Sequence, residues 1–137
     1  MNTETLDEMP DKLRKGENLM TPPLVPLRIP SGWTVNYNEF REVKADEFIN
    51  DDNENRWEFS EAIFQFNHIN NRILDLGWYP EHSCKGNYRL KLIESSEMPE
   101  IQIEAWNKPI LNFETRCTEI LMKKIEEILI EVSNGSI

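Results

Sequence analysis

Cysteine, histidine and glycine are scarce in this sequence, and the small numbers of cysteines and glycines each exclude a class of protein. The 137 residues include two cysteines, two histidines and five glycines. The cysteines, Cys84 and Cys117, are too few for a disulfide scaffold, and the glycines form none of the patterns that cradle phosphates. No apolar run is long enough to cross a bilayer, and no segment resembles a secretory signal. We therefore expect a cytoplasmic protein with reduced thiols that binds no nucleotide and uses no cofactor.

Basic residues are also few relative to acidic ones, and this balance limits the possible partners. Fifteen lysines and arginines stand against 25 aspartates and glutamates, which gives a formal net charge of −10. Such a protein is repelled by phosphate backbones and by anionic lipid surfaces. The charge therefore predicts no nucleic-acid partner and no membrane partner, and it favours a basic protein. The length suffices for a single domain with one core.

The carboxylates are concentrated in one segment. Positions 39 to 61 contain nine acidic and three basic residues, whereas positions 68 to 93 contain four bases and two acids. Acidic runs are often only solvated surface, but this one is dense and includes the amides of Asn50, Asn53 and Asn55, which suit hydrogen bonding to lysine and arginine. The predicted partner-binding residues are Asp46, Glu47, Asp51, Asp52 and Glu54. A second acidic set would extend this surface if both sets lay at one end of the sheet: Glu94, Glu97, Glu100 and Glu104.

The apolar pattern in the middle of the chain predicts an antiparallel meander. Runs typical of strands occur at 33–37, 73–78, 88–92, 101–105 and 110–113. Residues 57–69 fit a strand or an irregular helix, and their aromatic and β-branched content favours a strand. Asn70-Asn71 is a plausible hairpin turn because asparagine tolerates a positive φ. The polar run 50–55 has no apolar anchor and predicts a solvated loop.

The C-terminal segment predicts an amphipathic helix. Thr115 is the expected N-cap, and Asn134-Gly135 the expected C-terminus. Apolar residues recur between them at three- and four-residue spacing: Cys117, Ile120, Leu121, Ile125, Ile128, Leu129 and Val132. Since a sheet with one apolar face needs a cover, we predict an α+β fold with an antiparallel sheet of five or six strands, covered on one face by this helix. Residues 1–21 are predicted to be a flexible tail, ahead of a single α+β domain at 22–137.

Residues able to carry catalysis or bind a metal are sparse. The soft ligands closest in sequence are His68, His82 and Cys84, which lack the second close pair of a structural zinc site. The serines occupy no nucleophile-elbow context. Alternation explains Asp75 as an outward-facing strand residue better than as a buried functional acid. We therefore predict no catalytic residue, no metal and no enzymatic activity. A hydrolase or metal protein built on those three ligands is a third hypothesis.

Three phrases resemble a known group of proteins: PPLVPLRIPSGWTVNY at 22–37, DLGWYPE at 75–81 followed by GNYRL, and WNKPILNFETR at 106–116. They resemble small bacterial immunity proteins of polymorphic toxin systems, including those of contact-dependent growth inhibition. The resemblance implies a role and no particular fold or binding residue. That role is a non-enzymatic protein that neutralises a cognate toxin by direct binding. Because toxins of this kind are often nucleases with basic clefts, an acidic protein suits the task. The alternative is an acidic adaptor or regulatory module for a basic cellular protein.

Overall fold

The computed structural model describes residues 21–137 and shows an α+β fold. Five antiparallel strands form one sheet in the order β1-β2-β3-β4-β5. The strands are β1 (Trp33–Asn38), β2 (Phe64–His68), β3 (Arg72–Tyr79), β4 (Asn87–Glu94) and β5 (Leu111–Thr115), and the helices are α1 (Pro99–Asn107) and α2 (Thr118–Ser133). The predicted fold class is confirmed, with five strands. The predicted tail at 1–21 lies, apart from Thr21, outside the described residues.

Two hairpins form the centre of the sheet. β2 and β3 are joined through Asn70 and Asn71, and Asn71 has a φ of 61°. Asparagine adopts this left-handed conformation more readily than most residues, and the predicted hairpin turn is found here. β3 and β4 pair along their whole lengths, from Arg72 opposite Glu94 to Tyr79 opposite Asn87.

One face of the sheet packs against α2 to form the core. Alternate residues of the strands point to this face, and the buried ones include Phe66, Leu76, Trp78 and Leu90. From α2 the core receives Leu121, Ile125, Ile128, Leu129 and Val132. The predicted covering helix is therefore confirmed, and α2 ends as predicted, with Asn134 as C-cap followed by Gly135 at a φ of 77°.

The predicted N-cap of this helix is wrong by two residues. α2 begins at Thr118 with Cys117 as its N-cap, and Thr115 is the last residue of β5. The Thr115 hydroxyl oxygen accepts the backbone N–H of Cys117 at 3.0 Å. Thr115 thus supports the turn into the helix from the position before it, because its backbone is already committed to pairing with Tyr88.

The predicted strand at 101–105 is also wrong, because these residues belong to α1. Pro99 occupies the first turn of this helix, where its fixed φ suits helical backbone and its missing N–H costs nothing. Gln102 stabilises the same turn: its side chain accepts the N–H of Ser96 and donates to the carbonyl of Glu94. A strand here also has no place between β4 and β5, since these two strands pair with each other.

The segment 57–69 is a strand only in its second half. Residues 56–58 form a 3₁₀ turn, and β2 begins at Phe64. The residues between still approach the end of β3, where Ser60 accepts the N–H of Trp78 and Ile63 donates to the carbonyl of Leu76. A Cβ atom at position 77 would collide with the carbonyl oxygen of Glu61, so Gly77 is required for this close approach.

The meander places the connecting segments at two opposite ends of the sheet. Segments 39–63 and 80–86 lie at one end, which also holds the start of α2. The turn at 70–71 lies at the other end with α1. We call these the loop end and the hairpin end. α2 runs from the loop end to the hairpin end, where the Ser133 hydroxyl donates to the carbonyl of Ser31.

Asp75 lies on the sheet face that α2 does not cover. It is opposite Gln65 on β2 and Lys91 on β4, and Gln65 Nε2 donates to its Oδ2 at 3.2 Å. Burial raises the pKa of the Asp75 carboxyl above its ordinary value, against the lowering effects of the Gln65 hydrogen bond and the Lys91 charge. The outward placement expected from alternation is observed, and the carboxylate belongs to a side-chain network between neighbouring strands.

We expect Asp75→Asn to stabilise the protein at neutral pH. A raised pKa in the folded state means that the ionised carboxylate opposes folding, and that this penalty disappears as the pH falls below the unfolded-state pKa. Asparagine keeps an acceptor for Gln65 without the charge. Thermal melts should show a rise in Tm of about 2–5 °C near pH 7 that shrinks toward about pH 4. A lower Tm near pH 7 would show that attraction to Lys91 outweighs the burial penalty.

Candidate partner-binding surface

The predicted contact residues lie on one connection at the loop end, between β1 and β2. We call residues 45–59 the acidic loop. It begins with the 3₁₀ turn Ala45–Glu47 and ends just after the 3₁₀ turn Arg56–Glu58. The five predicted side chains are all exposed: Asp46, Glu47, Asp51, Asp52 and Glu54. Asp46 and Glu47 lie on the first turn, and the other three lie between the two turns.

Buried aromatic rings hold both ends of the acidic loop in the core. Phe48 and Phe59 stack with their ring centroids 4.4 Å apart, and each is 1% exposed. Both also contact Trp78 on β3, at centroid distances of 5.8 and 4.7 Å. The polar residues therefore project between two fixed points, although no apolar residue lies within the run 50–55 itself.

Side chains of the loop fix its turns from within. Asn53 Oδ1 accepts the N–H of Asn55 at 2.8 Å, and Asn53 Nδ2 donates to the carbonyl of Glu47 at 3.4 Å. Arg56 donates to the carbonyl oxygens of Asp52 and Asn53. The predicted loop is exposed as expected but has a defined shape, and the Asn53 amide is engaged within it.

Arg116 joins the acidic loop to two other segments of the protein. It follows β5 directly, and its Nη2 donates to the carbonyls of Ala45 and Phe48 at 2.9 and 3.1 Å. Its Nη1 donates to the carbonyls of Cys84 and Gly86 at 2.8 and 2.6 Å. The guanidinium carbon also lies 5.0 Å from the centroid of the Trp78 ring. One side chain thus connects the acidic loop, segment 80–86 and the start of α2.

Asp51 differs from the other predicted contact residues because it has a partner within the protein. Its Oδ1 accepts the backbone N–H of Cys84 at 2.8 Å, and this hydrogen bond lowers the pKa of the Asp51 carboxyl. A substitution at Asp51 would therefore change the shape of the loop as well as its charge. Charge-specific tests should use Asp52 and Glu54 instead.

Asp46 also has its own surroundings. It lines a recess of about 400 Å³ beside the start of α2, together with Lys44, Arg116 and Glu119. The lining combines both signs of charge, whereas Asp52 and Glu54 lie near the second 3₁₀ turn. The five predicted residues thus belong to one exposed loop, and Asp46 faces its α2 side.

Two exposed apolar residues were missed by the sequence analysis. Trp57, on the second 3₁₀ turn, is 61% exposed, and Ile49, next to buried Phe48, is 73% exposed. Trp78 on β3, by contrast, is fully buried. The available signal was local: Trp57 follows seven consecutive polar or charged residues, whereas Trp78 lies near the end of an apolar strand.

The second acidic set does not extend the acidic loop. Glu94 ends β4 at the hairpin end, and Glu97 precedes α1 there. Glu100 and Glu104 belong to α1 itself. The condition for one continuous surface, that both sets lie at the same end of the sheet, is therefore not met. These carboxylates instead supply a matched control for charge substitutions in the acidic loop.

The three candidate soft ligands do not come together. His68 ends β2 at the hairpin end, whereas His82 and Cys84 lie in segment 80–86 at the loop end. Within residues 21–137, no group of three or more histidine, cysteine, aspartate or glutamate side chains is placed to hold a metal ion. These three residues therefore provide no common site for the hypothesis of a hydrolase or metal protein.

The burial and hydrogen bonds of His68 indicate a structural role. It is 6% exposed, and its Nδ1 accepts the backbone N–H of Asn70 at 3.1 Å. In the neutral ring Nε2 then carries the proton and donates to the Ser133 hydroxyl oxygen, 3.3 Å away. A ring that donates to a serine cannot withdraw its proton in this arrangement, so this pair does not form an activated nucleophile.

Comparisons with known proteins assign no family to this chain. No family model matches it, and no curated protein or solved structure matches it either. In the part of the chain that the structure describes, no helix is both long and apolar enough to span a membrane.

Proposed function

We propose that this protein is a non-enzymatic immunity protein that neutralises a cognate bacterial toxin, with the acidic loop as the contact surface. The observation that carries this proposal is that exposed carboxylates project from a loop whose backbone is held by Phe48, Phe59 and Arg116. A preformed loop loses little conformational entropy on binding, and its charge attracts a basic partner. The resemblance of three sequence phrases to immunity proteins supports the same role.

The proposed partner is a basic toxin domain of the nuclease type, met in the cytoplasm. A nuclease cleft holds phosphates with lysine and arginine side chains. Carboxylates placed in such a cleft occupy the positions of the phosphates and exclude the substrate. Opposite charges also accelerate the encounter of the two proteins. Fast association suits a protein that must bind the toxin before the toxin cleaves its substrate.

If the gene immediately upstream encodes a large secreted protein, the C-terminal domain of that protein is the toxin for the test. Expressed alone, this domain should arrest growth, and co-expression of the wild-type protein should restore it. A toxic domain that the wild-type protein neither binds nor neutralises would contradict the proposal. A metabolic operon at that position would instead favour the adaptor alternative.

Reversing two charges in the acidic loop should abolish protection without unfolding the protein. The variant is Asp52→Lys with Glu54→Lys, because neither side chain takes part in the hydrogen bonds that shape the loop. We expect association with the toxin domain to slow by about tenfold or more, and its dependence on salt to weaken. Growth under co-expression and stopped-flow association rates provide the measurements.

The matched control is Glu97→Lys with Glu100→Lys at the hairpin end. Both residues are exposed, and the two double variants change the net charge by the same amount. The control should retain protection and a nearly unchanged association rate. Equal losses in both variants would mean that only net charge matters, and loss in the control alone would move the interface to the hairpin end.

A further inference from the structure

The exposed indole of Trp57 makes no contribution to the core. It lies outside the group of buried core residues. The ring contacts Arg56, whose guanidinium carbon is 4.6 Å from the ring centroid, and His82, at a centroid distance of 4.8 Å. The acidic loop is held by Phe48, Phe59 and Arg116 instead. The ring remains 61% exposed, so most of its apolar surface is available for burial by a partner.

The two contacts of Trp57 nevertheless fix its position. Arg56, which lies over the ring, also donates to the carbonyls of Asp52 and Asn53. His82, at the other contact, donates its backbone N–H to the carbonyl of Phe59 at 2.8 Å. Both neighbours are thus tied to the main chain of the loop end. A ring held in this way loses little side-chain entropy when a partner covers it.

We propose that Trp57 is the central anchor of the toxin interface and enters an apolar recess edged by lysine or arginine side chains. This inference rests on the proposed function and names the surface that the partner must present. Tryptophan is among the residues that most often dominate binding energy, through the apolar area that it buries. The choice of a basic rim follows from charge complementarity, because carboxylates surround the indole in sequence: Asp51, Asp52, Glu54 and Glu58.

The anchor and the carboxylates should affect different rate constants. Charges at a rim act mainly on the association rate, whereas a buried anchor acts on the dissociation rate. Trp57→Ala should therefore weaken the affinity for the toxin domain by at least about 30-fold through faster dissociation. Its association rate and salt dependence should stay within about twofold of wild type. Trp57→Phe should retain affinity to within about tenfold, since it keeps an aromatic ring.

Surface plasmon resonance with the immobilised toxin domain from the upstream gene, together with thermal melts, tests this inference. Ile103→Ala is the control, because Ile103 is also exposed, by 65%, and lies on α1 at the hairpin end. Both alanine variants should melt within about 2 °C of wild type. Dissociation of Trp57→Ala at the wild-type rate, while the charge-reversed loop loses affinity, would overturn the anchor and leave the proposed function standing. Failure of the wild-type protein to bind would overturn both.

Discussion

Ile125→Asp is expected to unfold the protein. Ile125 is 0% exposed in the middle of α2, between Leu121 and Leu129, which are equally buried. An aspartate at this position must leave a carboxyl group among apolar side chains, or expel the helix from the sheet. Either outcome costs about 4 kcal/mol or more, which is a large part of the roughly 5–15 kcal/mol that stabilises a typical domain. Circular dichroism should show a Tm lowered by about 15 °C or more, or no folded baseline.

Ile120→Asp provides the comparison within the same helix. Ile120 was predicted to belong to the apolar stripe, but it lies away from the buried side of α2 and is 52% exposed. The identical substitution therefore places the charge in water near the helix N-terminus, where acids are tolerated well. This variant should melt close to wild type. Similar melting of the two variants would show that α2 does not cover the sheet as described.

Removal of the Arg116 guanidinium is expected to produce the second largest loss. Arg116→Met keeps much of the side-chain volume but leaves the carbonyls of Ala45, Phe48, Cys84 and Gly86 without their donors. A carbonyl deprived of its partner costs about 1–3 kcal/mol where water cannot replace the donor. Since Arg116 is only partly buried, water will reach some of them, and we expect a total of about 3 kcal/mol.

The effect of Arg116→Met should be localised as well as large. Hydrogen exchange should accelerate at amides of the acidic loop and of segment 80–86, because Arg116 joins these segments to β5, while amides of β3 and β4 should change less. The comparison variant is Arg89→Met, which removes an exposed arginine paired with Glu114 and should cost less than about 1 kcal/mol. Uniform acceleration across the sheet would show that Arg116 supports the whole fold and has no special role at the loop.

The apolar stripe of α2 spans most of its 16 residues, and so long a pattern predicted the helix correctly. The two shorter runs 88–92 and 101–105 each alternate over five residues with three apolar positions. The first is a strand and the second belongs to a helix, because a run of this length does not separate the two structures. In the second run the local signal at Pro99 and the hydrogen bonds of Gln102 decide the structure.

The sequence predicted which residues the candidate surface contains, but it did not predict the hydrogen bonds that shape the loop. Exposure of Asp52 and Glu54 follows from their charge alone. The bonds that shape the loop connect residues far apart in sequence, such as Arg116 with Ala45 and Asp51 with Cys84. Their geometry depends on how the sheet brings both segments to the loop end, and no local pattern encodes it. Exposure of Trp57 differs in this respect, because the polar run before it is a local signal that the residue type alone does not give.

Arg116 holds the acidic loop only through hydrogen bonds to main-chain oxygens, and this determines which substitutions the loop can accept. These hydrogen bonds do not depend on the side chains at positions 46, 47, 52 and 54. Substitutions there change the charge and shape that the loop presents while the path of its backbone stays the same. Successive single replacements at these positions can therefore produce a different surface, with each intermediate still folded.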